Sequence, residues 1–402
     1  RPLYLVSRSN SSPSTKAAID VFALKYDAKH ITYDAISFSA TLKANEQSFG
    51  KKALPTYDFS KAKTIVSFAA DFLGDFPNQT LNSKQFAATR KLYDGKKEMS
   101  RLYAFESNLS LTGANADYRN PIKASQQGLY VANLYNLIAS KAGASTLNVG
   151  KVADDAVLVK AANDLWSSRG SGLVLSGSND VNVQLVVNAI NHLLGNYGKT
   201  LDIANHQNLR SGDDAEFEKF VKALETGAGV IFYNCNPVYD SPAGDRIEKA
   251  LGNSRFALTT SDRKDETASL VKFQAPDHHF LESWNDFQPA VGKYSLSQPA
   301  IRNIFNTRQA QDSFLSWAED ERNYYDMLRS NWEASLYPVA GDNYYNFQAF
   351  WDKSLHDGVF ELPIETTTAE YADAGLSTTG SAIARTYRDD SSELELVLYT
   401  KN

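Results

Sequence analysis

Short apolar runs rich in β-branched and aromatic residues recur along this chain, each followed by a polar loop and then by helical spacing. The clearest is Gly229-Val-Ile-Phe-Tyr-Asn-Cys-Asn-Pro-Val-Tyr-Asp240. Val230 to Tyr233 reads as a strand, Asn234 to Pro237 as a loop, and the stretch from Ser241 as a helix start. In an open parallel sheet, loops at the carboxyl ends of strands line the ligand crevice. The Asn-Cys-Asn-Pro loop is therefore the first place to look for function, although the same residues also suit an ordinary polar turn closing a βα unit.

The chain before it repeats this logic. Leu3–Val6, His30–Tyr33, Lys63–Ala70 and Arg101–Glu106 read as strands. Ser14–Leu24, Asn45–Gly50, Ser83–Tyr93 and Gln126–Ser140 read as helices between or after them. Ser107–Pro121 is polar and without period, either a functional loop or a connector. A second series follows: helix Asp154–Ser167, strand Gly172–Gly177, helix Val181–Leu194 capped by Asn179 or Asp180, and helix Ala215–Leu224. After the central strand come helix Asp245–Leu251, strand Arg255–Thr260, a capped helix start at Asp262 and a last strand Val271–Ala275. Strands alternating with helices predict parallel sheets covered by helices. The expected organisation is a first α/β lobe over 1–124, a second over 125–305, an aromatic-rich helical segment over 306–365, and a linker opening a further domain over 366–402.

The segment after Gln311 differs from the rest. Asp312–Arg329 reads as one helix, and Tyr324, Tyr325, Trp332, Tyr337, Tyr344, Tyr345, Phe347, Phe350 and Trp351 crowd the region. Such density suits a partner surface or a helical layer packed on the preceding lobe. Thr366–Ser381 reads as a mobile linker. The chain opens and closes on strand-like runs, which suggests a piece of a longer polypeptide.

Composition narrows the function classes. Of 402 residues, 43% are hydrophobic and 22% charged, as in globular proteins generally. A net charge of −6 argues against a nucleic-acid footprint, and no apolar run has the length of a membrane span. The single cysteine, Cys235, excludes an internal disulfide and a cluster ligated by this chain's cysteines alone. It has no sequence-adjacent activator and suits a small buried residue. His278, His279 and Glu282 lack a further evident metal ligand and suit loop hydrogen bonding. Glycine-rich phosphate loops, nucleophile elbows and Cys-x-x-Cys pairs do not occur. On these grounds the chain is a two-lobed α/β ligand-binding scaffold.

Several longer stretches carry a family resemblance. Val66-Ser-Phe-Ala-Ala-Asp-Phe-Leu-Gly74, Glu106-Ser-Asn-Leu-Ser-Leu-Thr-Gly-Ala-Asn-Ala-Asp-Tyr-Arg119 and Asn188-Ala-Ile-Asn-His-Leu-Leu-Gly-Asn-Tyr-Gly-Lys199 resemble the molybdopterin oxidoreductase superfamily. So do Asn236-Pro-Val-Tyr-Asp240, Asp265-Glu-Thr-Ala268 and Leu281-Glu-Ser-Trp-Asn-Asp286. The likeness runs from about Ser7 to about Ile301 and is greatest to the molybdopterin-like part of the B subunits of alternative complex III. It implies two Rossmann-like lobes with mostly parallel sheets and a helical C-terminal extension. In true members, loops of both lobes bind a bis-pterin guanine dinucleotide. Gly177, Asn179, Asn236, Pro237 and Asp262 match those positions.

The resemblance also has departures. A molybdenum-ligating Cys or Ser is not recognisable, and Cys235 lies on another strand. The reading this favours is a non-catalytic scaffold with no cofactor of its own. Iron–sulfur clusters and haems are then expected in neighbouring domains and subunits. The implied partners are an iron–sulfur half of the same polypeptide, a multihaem cytochrome and integral membrane subunits, at the periplasmic face of the bacterial inner membrane. The complex would oxidise menaquinol and pass electrons to a cytochrome or terminal oxidase. The rivals are an active bis-pterin molybdenum oxidoreductase of the polysulfide-reductase type and an independent nucleotide-binding module.

Overall fold

A computed structural model describes residues 2–93, 95–152, 156–364, 369–387 and 394–399. The chain forms two compact units, Arg1–Ser39 with Asn208–Ile364, and Ala40–Gln207 with Glu365–Asn402. Each is assembled from separate segments, unlike the consecutive blocks 1–124 and 125–305 expected from sequence.

The first unit opens with β1 (Leu3–Ser7), α1 (Pro13–Tyr26) and β2 (Lys29–Thr32). After α2 (Ser39–Phe49), the second unit contributes β3 (Leu54–Tyr57), β4 (Thr64–Phe68), α3 (Gln79–Arg90), β5 (Arg101–Glu106), α4 (Leu111–Ala114) and β6 (Tyr118–Pro121). It continues through α5 (Gln127–Ala142), α6 (Ala156–Ser167), β7 (Gly172–Ser176), α7 (Val181–Leu193) and β8 (Leu201–Gln207). The first unit resumes with α8 (Asp214–Glu225), β9 (Gly229–Tyr233), α9 (Pro237–Asp240), α10 (Gly244–Leu251), β10 (Ala257–Thr259) and β11 (Phe273–Gln274). Then come β12 (Asn285–Ala290), β13 (Lys293–Ser297), α11 (Ala310–Trp317), α12 (Tyr324–Ser335), α13 (Phe347–Asp357) and β14 (Val359–Glu361). Finally α14 (Leu376–Thr386) belongs to the second unit.

In the first unit, β11-β10-β9-β1-β2 form a parallel sheet. Leu5 pairs with Ile231 across β1 and β9, so residues over 220 positions apart in sequence meet at its centre. The central strands β1, β9 and β10 are mostly apolar because helices cover both faces, whereas the edge strands β2 and β11 carry polar residues. Tyr4, Val6, Val230 and Phe232 pack against Phe217, Phe220, Ile247 and Leu251 of α8 and α10. Leu5, Ile231, Tyr233 and Leu258 pack against Ile19, Phe22 and Phe314 of α1 and α11. Each large aliphatic or aromatic side chain buried here contributes about 1.5–3 kcal/mol.

In the second unit, β6-β5-β4-β7 form another parallel sheet. Val66, Phe68, Tyr103, Phe105 and Val174 line one face beneath α5, α6 and α7. Mostly parallel, helix-covered sheets match the expected fold class. Among the described residues, no helix is long and apolar enough to cross a membrane.

Several local expectations change. The polar stretch Ser107–Pro121 contains α4 and the edge strand β6, whose register runs from Tyr103↔Tyr118 to Glu106↔Pro121. Backbone pairing, not apolar content, makes β6 a strand. After Asp262 the chain makes turns and not a helix. The helix expected over Asp312–Arg329 is two, broken near Glu319, whose φ is +60°. Most of the crowded aromatics form a buried cluster: Tyr324, Trp332, Phe350 and Trp351 lie with Leu315 and Leu328, and Tyr294 of β13 packs against them, whereas Tyr345 is exposed. Of the expected linker, 366–368 lie outside the described residues. Its later part is α14, where Ile383 is fully buried in the core shared by α5 and α7. Of the strand-like terminal run, Leu394–Tyr399 has no regular secondary structure.

Candidate functional site

Counted within its sheet, the first unit's strand order is 2-1-3-4-5, which reverses between β1 and β9. The second unit's order is 3-2-1-4, which reverses between β4 and β7. Loops leaving the carboxyl ends at such reversals form the ligand crevice of an open α/β sheet.

In the first unit, the loop after β9 is held by its own side chains. Asn234 takes φ of +51°, a conformation that asparagine tolerates. Next, the Cys235 thiol donates to the Val6 carbonyl at 3.3 Å, and burial pushes its pKa up. Cys235 is thus a structural residue. Asn236 reaches the loop beyond β10: its Oδ1 accepts from Thr267 N at 3.1 Å and Oγ1 at 2.6 Å, while Nδ2 donates to Glu266 at 2.7 Å. Pro237, buried, starts α9. Asp262 lies on the same loop as Thr267, but its carboxylate turns to its neighbour Arg263 at 3.0 Å. Asn236, Pro237 and Asp262 therefore belong to one sheet edge, with Asn236 as the tie.

Three residues outside the sequence-derived set complete this edge. Arg8, from the β1–α1 loop, pairs with Asp240 at the end of α9. Tyr33 donates to the same carboxylate at 2.7 Å. Burial drives the Tyr33 hydroxyl pKa upward, so it remains a donor. Asp240 closed the Asn236-to-Asp240 stretch noted above, which was the available signal. Nothing in the sequence pointed to Arg8 or Tyr33.

Gly177 and Asn179 belong to the second unit. A Cβ on Gly177 would overlap the Ala69 carbonyl oxygen, where the loops after β4 and β7 cross; only glycine fits. Gly177 N donates to Phe68 O at 3.0 Å, Ser178 N to Ser176 Oγ at 3.2 Å, and Asp180 N to Ser178 Oγ at 3.2 Å. Asn179 Oδ1 accepts from Ala40 N at 3.0 Å. Of the two residues considered for capping α7, Asp180 serves, accepting from Asn182 N at 2.8 Å.

A phosphate-bearing dinucleotide needs free backbone donors at helix N-termini. At α1, α7, α8 and the turn before α5 those donors hold the chain's own carboxylates, whereas the starts of α9 and α10, after β9, carry no side-chain cap. At α1, Asp286 accepts from Ser14 N at 3.3 Å and from the Ser12 and Ser14 hydroxyls at 2.5 and 2.7 Å. On the turn leading into α5, Ser125 N donates to Glu395 at 3.0 Å. Asp180 caps α7, and Asp213 caps α8 through Ala215 N and Glu216 N at 3.0 and 3.2 Å. An incoming phosphate would meet spent donors and like charge. The α1, α7 and α8 termini thus offer a phosphate fewer free donors.

Within the stretches that carry the family resemblance, polar side chains hold neighbouring loops and strands together. Glu106, 3% exposed, pairs with Arg119 at 2.7 Å. Asp71 accepts from Thr112 N and Oγ1 at 2.8 and 2.7 Å. Asn191 bridges Val174 through its N–H at 3.1 Å and its carbonyl at 2.9 Å. His278 and His279 tie loops as expected: His278 Nε2 lies 3.1 Å from Thr307 O, and His279 Nδ1 accepts from Leu281 N at 3.3 Å. Among the described residues, no group of three or more His, Cys, Asp or Glu could hold a metal.

Two doubly wound parallel sheets with reversal-point loops define a molybdopterin-enzyme-like α/β fold. Comparison with solved structures agrees. Acetylene hydratase from Pelobacter acetylenicus superposes with a TM-score of 0.58 at 10% identity, over 90% of this chain. The chain spans 60% of that protein's length. A chain of the formyltransferase/hydrolase complex from Methylorubrum extorquens superposes with a TM-score of 0.54 at 12% identity, over 82% of this chain and 92% of that one. At these identities the likeness is one of fold. No family model matches the sequence, and no curated protein matches it.

Proposed function

We propose that the chain is a non-catalytic, molybdopterin-enzyme-like scaffold within a respiratory quinol-oxidising complex of the alternative complex III kind. The observation that supports this reading is the occupation of the α1, α7 and α8 N-termini by Asp286, Asp180 and Asp213, and of the turn before α5 by Glu395. Gly177, Asn179, Asn236, Pro237 and Asp262 then represent vestigial pterin-nucleotide positions. Asn236 and Asn179 keep the crevice loops in register where a cofactor once did. In this reading the partners are an iron–sulfur half of the same polypeptide, a multihaem cytochrome and integral membrane subunits, at the periplasmic face. Redox centres reside in those neighbours, and the fold sets their separations.

The fold likeness to acetylene hydratase favours one rival, a bis-pterin molybdenum oxidoreductase. Metal and pterin analysis of purified native protein separates the two. The scaffold reading expects neither molybdenum nor tungsten, no fluorescent oxidised pterin, and iron in the intact complex. Stoichiometric metal with pterin would overturn it.

A further inference from the structure

We propose that the second unit binds one internal water at the free edge of β7, bridging Tyr57 and Gln184. In the order β6-β5-β4-β7, β7 ends its sheet, yet the strand is buried along its whole length. Side chains take the place of a further strand along that edge. Thr200 Oγ1 donates to Gly172 O at 2.6 Å, and Asn191 spans Val174 N and O. Gln184 Nε2 donates to Ser176 O at 2.9 Å and to Ser178 O at 2.7 Å.

Beside this edge, residues of α2, β3, β7 and α7 line a cavity with about 20 Å³ open to the centre of a water molecule. One water needs about 10–15 Å³ on that measure. The space therefore takes a single water, and a sugar or nucleotide is too large for it. Among the described residues, no charged side chain lines the cavity, which argues against an ion.

The chemistry of the walls matches a water. Two polar groups on them are already paired: Asn188 Nδ2 donates to Asn45 Oδ1 at 2.9 Å, and Tyr197 OH donates to Asn188 Oδ1 at 3.1 Å. Tyr57 and Gln184, 8% and 4% exposed, face the same space. Neither the Tyr57 hydroxyl nor Gln184 Oε1 has a hydrogen-bond partner among the described residues. Polar atoms buried to this degree are almost always paired with protein or with ordered water. Burial pushes the Tyr57 pKa up, so the hydroxyl keeps its proton and can donate. A water there accepts from Tyr57 and donates to Gln184 Oε1. Its second hydrogen meets a remaining lone pair on Asn45 Oδ1 or Asn188 Oδ1, which completes the three bonds usual for an internal water. The water thus steadies Gln184, whose amide holds the loop after β7 that carries Gly177 and Asn179. The proposal is independent of the scaffold reading, since an active enzyme would need the same loop held.

The test is a crystal structure of the full chain at a resolution that shows ordered water, joined to amide exchange on Tyr57→Phe. One water-sized peak is expected about 2.6–3.2 Å from Tyr57 OH and Gln184 Oε1. If the water bridges them, Tyr57→Phe breaks a satisfied pair, and protection of the β7 amides should fall about fivefold. If the hydroxyl instead faces a dry cavity, the same change removes an unpaired group and protection should rise. No peak at the site, a peak too large for a water, or protection that stays level or rises in Tyr57→Phe would overturn the proposal.

Discussion

Asp286 offers a direct test of how the α1 terminus is held. It is 2% exposed, and among the described residues no cation pairs with it. Besides the serine contacts, it accepts from Trp332 Nε1 at 3.0 Å. Asp286→Ala removes the charge-assisted bonds, each worth about 1.5–3 kcal/mol. The hydroxyls can turn: Ser12 Oγ lies 3.4 Å from Tyr324 OH. The indole N–H cannot, and stranding it costs about 1–3 kcal/mol. Against this, deleting a buried, unpaired carboxylate recovers several kcal/mol of desolvation. The balance predicts a loss of about 2–4 kcal/mol. Asp286→Asn should lose about 1 kcal/mol, because one oxygen can still face Trp332 and Ser14 while Ser12 accepts from the amide.

Urea unfolding followed by tryptophan fluorescence is the assay. Four of the five tryptophans, Trp284, Trp317, Trp332 and Trp351, belong to the first unit, so the signal reports it. An alanine variant within about 0.5 kcal/mol of the parent, or more stable than it, would refute the reasoning. An asparagine variant worse than alanine would do the same.

The remaining predictions concern the crevice edges and pH. Gly177→Ala should push apart the loops after β4 and β7 and cost about 1–3 kcal/mol, visible as a lower thermal midpoint and faster exchange of the amide at position 177. Asp240→Ala should cost about 1–3 kcal/mol because it strands the buried Tyr33 hydroxyl, whereas Arg8→Ala, at a half-exposed side chain, should cost under about 1 kcal/mol; equal costs in urea titrations would count against this account. Burial, with a smaller push from Lys16, lowers the His30 imidazole to about 4, so its contribution to stability rises with pH between about 4 and 6.5. Burial raises the Asp277 carboxyl to about 6, so its contribution is complete below about 4 and is lost as pH rises to 6. The slopes oppose, each with a ceiling of about 3 kcal/mol. The parent profile should be nearly flat from pH 4 to 6, His30→Gln should fall across it, and Asp277→Asn should climb. A flat profile in either variant would contradict the assignment.

The elements legible in sequence share one property: their burial is written in local composition. β1, β4, β5, β7 and β9 are short apolar runs because helices cover both sheet faces. α7 declares itself through a capping aspartate and a terminating glycine. Segments that bury less left no such trace. β8, Leu201-Asp-Ile-Ala-Asn-His-Gln207, interleaves polar residues, and β12 and β13 pair antiparallel with half-exposed side chains. α14 is poor in strong helix formers and is stabilised by packing of Ile383 onto α5 and α7. The loop after β9 was legible as a region, since a polar loop after a buried strand is a local pattern. Which residues hold it was not legible, because Arg8, Tyr33 and Asp240 meet only after more than 200 intervening residues.

The sequence by itself therefore determined the parallel α/β class, the covered strands, the buried cysteine and the polar loops that follow those strands. Periodicity, caps and apolar runs act over a few residues, and sequence displays them directly. Tertiary structure decided the discontinuous units, the strand orders with their reversal points, and the donation of the α1 N-terminus to Asp286 and of the turn before α5 to Glu395. Those outcomes depend on which distant segments meet. A helix N-terminus has the same amides whether it faces a phosphate or a carboxylate from the other end of the chain.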